Sequence, residues 1–222
     1  MSPNFPTPDE SIKRREDKTG YETPIGTLPS VTTIIGATAS PESKARLEAW
    51  LQRPGAREES RRACKRGSWV HEQLENHLLG RPVGRHLAYN SYLDSMLPWV
   101  KENVIEACMV EAPVWHPAGY SGTFDCCAWM DQFPSVCLLD WKTSKNPRGP
   151  DLVDGYLDQL AAYRAAIAHT YLFTPSVGVL CIGRPAEPKP DVWIIDEDEL
   201  DRRELKFLER VDQYKAQLNT VK

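Results

Sequence analysis

Two residues at the end of one apolar run carry the first chemical signal. In Val136-Cys137-Leu138-Leu139-Asp140-Trp141-Lys142 both faces are apolar until an acid and an amine appear two residues apart. A strand buried on both sides reads this way. Period two sets Asp140 and Lys142 on one face, about 6.6–6.8 Å apart along the backbone, close enough to act on one small reacting group. The bland alternative is a strand running out into solvent with a surface ion pair worth little. The preceding run, Gly122 to Met130, is small or apolar throughout except for Asp125, and an unpartnered carboxylate there would be costly. Glu111 lies one run earlier. Three neighbouring strands about 4.8 Å apart would thus bring three acids together, and such acids repel unless a cation sits among them. Oxygen ligands of this kind suit Mg²⁺ or Mn²⁺.

Two helical stretches flank these strands. Upstream, His71 and Glu75 are four residues apart on one side of a helix, beside the Val70, Leu74, Leu78 stripe that faces the core. They could reach the acids, although a histidine there is equally read as a core residue. Downstream, Tyr156, Gln159 and Tyr163 occupy successive turns. Such a face can donate to a phosphate backbone and stack a base, although its aromatics are equally read as packing; Tyr156 is read as core.

Positioning these groups requires a mixed α/β layer architecture around one central sheet. The spacing predicts helices over 44–51, after a Ser40-Pro41 start, over 57–79, and over 87–106 with a bend at Pro98. Strands follow at 109–115, 122–130 and 136–141, then a helix at 152–170, strands at 177–182 and 192–195, and an amphipathic closing helix at 200–218. The proline- and charge-rich residues 1–27 are expected to form a flexible leader. Residues 28–222 form a single domain, with a helical part over 28–106 and the sheet with its helices over 107–222.

Composition narrows the function classes. In 222 residues, 31 acidic and 27 basic side chains give a net charge of −4, so nucleic-acid contact must come from a local patch. One exists. From Lys44 to Arg66 eight basic residues, including Arg61, Arg62, Lys65 and Arg66, meet three acidic ones, a local +5. That run is either a solvated helix face or a guide for a phosphate backbone. No apolar run approaches a membrane span, and the first 24 residues have neither a signal core nor the bias of an organelle-targeting peptide. A reducing cytoplasm, bacterial or phage-infected, is expected, with the six cysteines as core filler. No Gly-rich phosphate loop of the helicase type occurs.

Taken in order, Arg66-Gly67 with His71 and Glu75, then Glu111, Gly122-Thr123-Phe124-Asp125, Asp140-Trp141-Lys142 and Gln159 to Tyr163 resemble the RecB-like branch of the PD-(D/E)XK nucleases. The size of the chain and Leu28 to Ile35 are further similar to mitochondrial and phage exonucleases of that branch. The resemblance implies a restriction-endonuclease-like sheet. It implies metal ligation by His71, Asp125, Asp140 and the Trp141 carbonyl, catalysis by Lys142, and accessory roles for Glu75 and Glu111. Gln159 and Tyr163 would organise the site and the substrate strand. It points to single-stranded DNA degraded from an end with Mg²⁺ or Mn²⁺, unwinding being left to a helicase or single-strand-binding partner. Iron–sulfur members end in a cysteine quartet; nothing cysteine-bearing follows Cys181, so no cluster is expected. A structure-specific endonuclease and a non-cleaving DNA-binding protein are the alternatives.

Overall fold

The computed structural model describes residues 5–220. It opens with a small antiparallel sheet of β1 (Lys13–Arg14), β2 (Gly20–Thr23) and β3 (Gly26–Pro29). This corrects the expected leader over 1–27, of which residues 1–4 lie outside the described residues. Charge and proline dominate the segment, but Ile12 and Tyr21 are buried. The Tyr21 and Thr123 hydroxyls hydrogen-bond at 2.9 Å, and Ser121 Oγ donates to the Leu28 and Pro29 carbonyls at 3.1 Å. Two apolar anchors and a few long-range hydrogen bonds order what composition alone would leave loose.

Four helices follow. Ser30 caps α1 (Val31–Ala37), and Ser40 with Pro41 starts α2 (Pro41–Leu51), as its sequence predicts. Gly55 and Gly80, both with left-handed backbone, bracket α3 (Ala56–Leu78). Pro98 sits inside α4 (Asn90–Asn103). The helix expected to reach residue 106 stops there because the branched Val104-Ile105 pair opens β4 (Val104–His116), which is longer than expected and pairs back to Met130.

The central sheet has the order β4-β5-β6-β7-β8, with β5 at Tyr120–Met130, β6 at Cys137–Thr143, β7 at Val177–Gly183 and β8 at Asp191–Ile195. All neighbours are antiparallel except β6 and β7. That parallel pair needs a crossover, supplied by α5 (Pro150–Tyr171). The closing helix is α6 (Glu197–Thr220). The sheet separates two cores. Residues of α1, α5 and α6 fill one side, and those of α3 and α4 fill the other. Cys126 and Cys127 fall in opposite cores, as adjacent strand residues must. Four cysteines are core residues, whereas Cys64 is exposed and Cys108 half-buried; all six are free thiols.

Buried charge fixes α6 on α5. Asp158, fully buried, lies 2.9 Å from Arg203, 3.3 Å from Lys206 and 3.2 Å from Arg210. Arg164 reaches Asp201 at 2.7 Å and Glu197 at 3.1 Å. Such groups are tolerated inside only when paired. No helix among the described residues is long and apolar enough to cross a membrane.

Candidate active site

The sheet opens at one point. The ladder between β5 and β6 runs through Ala128↔Cys137, Cys127↔Leu138 and Cys126↔Leu139 and then ends. Beyond it the Trp141 backbone N–H donates to Asp125 Oδ2 at 2.6 Å, a side-chain bond in place of a strand bond. The strand period breaks at the same level. Val110 and Cys126 pack with the α3–α4 core, whereas Ala112 and Phe124, two residues along on each strand, pack with the α5 core. Between them Glu111 holds a left-handed backbone, φ 47°. For a non-glycine residue that is strained by about 1–3 kcal/mol, the kind of local strain that gathers at functional sites.

The resulting fork admits side chains from both layers. From α3, His71 Nδ1 lies 3.5 Å from Asp125 Oδ1 and 3.9 Å from Glu111 Oε1. From α5, Gln159 Nε2 donates to Asp140 Oδ1 at 2.9 Å. Lys142 Nζ bonds Asp140 Oδ2, confirming that residues 140 and 142 share a face. The Lys142 ammonium also lies 5.3 Å from the centre of the Tyr156 ring. Glu75 stands at the outer edge, paired with Arg81 at 3.3 Å.

Proton affinities follow this packing. Burial works to lower the His71 imidazole's pKa, but Asp125, helped by Glu111, outweighs it and raises it to about 10. Burial opposes the Asp125 charge, yet His71, Lys142 and the Trp141 N–H hold that carboxyl below its ordinary value. Burial pushes Glu111 up, with Asp125 and Glu75 adding to the rise. Asp140 is pushed up to about 6 by burial despite Lys142 beside it. Lys142 is raised because Asp140 and Asp125 overcome its desolvation.

Ligand atoms of His71, Glu111 and Asp125 all lie within 4.8 Å of one another. One imidazole nitrogen and the carboxylate oxygens of two mutually repelling acids fit a divalent cation. Glu111, expected as an accessory acid, is therefore in the cluster. Asp140, expected as a ligand, has both oxygens engaged by Gln159 and Lys142. The Trp141 side chain is buried in the α3–α4 core, and its N–H is the group that meets Asp125.

The expected DNA contacts divide. Arg66 Nε donates to Thr143 Oγ1 at 3.2 Å and its guanidinium stacks 4.4 Å from the Tyr92 ring, which places it at the end of β6. Arg61 and Arg62 are exposed and share Glu58 at 2.8 and 3.6 Å; Lys65 is exposed on the same helix. Tyr163 is not available to a strand. It is buried against Gly122, where even a methyl group would come within 2.4 Å of its ring. Its spacing from Gln159 is that of one helical turn, but it packs beneath the site. Tyr156, read as core, is half-buried and packs against the α5 core as expected, and its ring also lies beside Lys142; its position three residues before Gln159 was the available signal for that second contact.

A mixed sheet forked at an Asp-x-Lys strand, with a histidine helix on one side and a Gln helix on the other, is consistent with the resemblance to RecB-like PD-(D/E)XK nucleases that the sequence motifs carry. Comparison agrees. Over 205 residues, 86% of this chain and 58% of the relative, the sequence is 32% identical to mitochondrial genome maintenance exonuclease 1 of Xenopus tropicalis. The Homo sapiens protein of that name is 27% identical over 208 residues, 84% of this chain and 58% of its own length. The chain thus spans 58% of the length of these curated relatives. Among solved structures, an alkaline exonuclease from Laribacter hongkongensis aligns with a TM-score of 0.32 and 11% identity, covering 68% of this chain and 84% of that one. No protein-family model matches.

Proposed function

We propose that this chain is a divalent-metal-dependent exonuclease that hydrolyses the phosphodiester bonds of DNA, working on a single strand from an end. The observation that carries the reading is the convergence of His71, Glu111 and Asp125 beside the Asp140–Lys142–Gln159 chain. His71, Asp125 and Glu111 would hold Mg²⁺ or Mn²⁺, with Asp140 and the Trp141 carbonyl completing the set as the resemblance implies. The ion would supply a Lewis acid for the phosphoryl oxygens and a lowered pKa for water. Lys142, held between Asp140 and the Tyr156 ring, presents an ammonium to the charge that builds on the phosphoryl group. Gln159 fixes Asp140 and through it Lys142. Glu75 orients groups at the edge of the cluster, and Arg61, Arg62, Lys65 and Arg66 lead the phosphate backbone along α3 to the fork.

The relatives' names support the exonuclease reading, and a bacterial or phage-infected cytoplasm is the setting that goes with it. A helicase or single-strand-binding protein would supply the strand.

Linear oligonucleotides labelled at either end, incubated with Mg²⁺, Mn²⁺ or EDTA, test the reading alongside circular single-stranded DNA. Cleavage of linear strands only, with metal only, is expected. Cutting of the circle would make the protein an endonuclease. Tight binding with no cutting under any metal would make it a non-cleaving DNA-binding protein.

A further inference from the structure

A cavity of about 750 Å³ lies between the α1–α2 region and α5, within the range of small-ligand pockets. Its apolar walls include Ile35 and Ala39 on one side and Leu152 and Gly155 on the other, and two further lining residues, Tyr156 and Gln159, belong equally to the site at the fork. Tyr156 lies over Lys142, and Gln159 donates to Asp140. Cavity and fork are therefore contiguous, joined by two side chains one helical turn apart.

We propose that this cavity receives one unstacked nucleobase of the bound strand, with Tyr156 shared between that base and Lys142. The assignment deepens the nuclease reading and rests on it. Charge decides which part of a nucleotide fits. The cations of the lining are already matched, Arg46 with Asp151 at 2.9 Å and Arg210 with Asp158 at 3.2 Å, as is Asp154 with Arg203 at 2.8 Å, while Glu42, also in the lining, adds an acid that would repel a phosphate. A phosphate would have to break one of these pairs. A flat neutral ring would not, and it would gain the apolar walls and the Tyr156 face, while its phosphate stays with the cations at the fork.

Gly155 makes the proposal testable. It lies inside α5, where a side chain favours the helix, and a methyl group added there would meet only Ile35 at an ordinary 3.8 Å. Larger substituents enter the cavity. Binding of the full chain to a fluorescent oligothymidylate is measured by anisotropy in EDTA, with a single abasic residue moved along the strand. One position is expected to weaken binding on the order of 10-fold when abasic. Gly155→Trp should bind the intact strand on the order of 10-fold more weakly and ignore the abasic change there. Should Gly155→Trp fail to fold, Ala39→Trp blocks the cavity from the opposite wall and carries the same expectation. Uniform binding with no sensitive position, or full sensitivity retained in a folded cavity-filled variant, overturns the cavity assignment alone. Failure of the wild type to bind any oligonucleotide overturns the nuclease reading as well.

Discussion

The Trp141 backbone N–H meets the Asp125 carboxylate at 2.6 Å, where the ladder between β5 and β6 has just ended. One carboxylate oxygen thereby closes the fork while the other is turned to His71 at 3.5 Å. Structural and chemical duties are divided between the two oxygens of one side chain.

That division gives Asp125→Asn a specific outcome. The amide oxygen can still accept the Trp141 N–H and keep the fork closed, but the ion pair that holds His71 charged is lost, so the melting temperature should fall. Mn²⁺ affinity, measured by calorimetry, should fall on the order of 100-fold. Glu111→Gln should weaken it as well if the observed cluster is the metal site, and an unchanged affinity would remove Glu111 from it.

Lys142→Ala should abolish cleavage and leave DNA binding intact. It should also destabilise the fold by about 3 kcal/mol in denaturant titration, because Asp140 is 1% exposed and loses its cation. Adding Asp140→Asn should recover most of that stability without restoring activity. A cleanly folded Lys142→Ala protein that cuts at the native rate would refute the catalytic assignment.

Arg61 and Arg62 already share Glu58, yet both stay exposed. Replacing the pair with alanine should weaken single-strand binding and reduce the slope of log affinity against log salt by about 1.4, two phosphate contacts at roughly 0.7 each. Glu58→Ala should act oppositely and tighten binding. An unchanged slope in the double variant would leave α3 as a solvated face.

Acid sensitivity should centre on His116. Burial, with His169 nearby, lowers its pKa to about 4, and the Ala118 N–H donates to its Nδ1 at 3.2 Å, which requires that nitrogen to be unprotonated. The unfolded chain takes up this proton near pH 6.5 and the native chain only near 4. Its contribution is therefore present above pH 6.5, is lost as pH falls towards 4, and changes no further below that. At about 1.4 kcal/mol for each unit, discounted for a partly exposed ring, the loss is roughly 2 kcal/mol. His116→Asn should flatten the stability profile between those limits; a variant profile parallel to wild type would exonerate this residue.

The legible part of the site was set by period. Asp140 and Lys142 share a face because β6 is regular, and His71 and Glu75 fall near the core stripe because α3 is regular. The illegible part lies where regularity fails. At Glu111 the backbone turns left-handed and the faces exchange between Val110 and Ala112, so strand alternation cannot say where that carboxylate points. Tyr163 keeps its helical spacing from Gln159, but only the bare Gly122 opposite reveals that its ring is needed for packing.

By itself the amino-acid order determined the secondary elements from Ser40 onward, the central place of β6 and the set of residues able to do chemistry, because those follow from local periodicity and from the expense of burying charge. The tertiary structure alone decided that the N-terminal segment is anchored through Tyr21, that β5 and β6 part at Asp125, and that Glu111 faces His71 while Asp140 is held by Lys142 and Gln159. Each of these depends on contacts between residues distant in the chain, and no local preference encodes them.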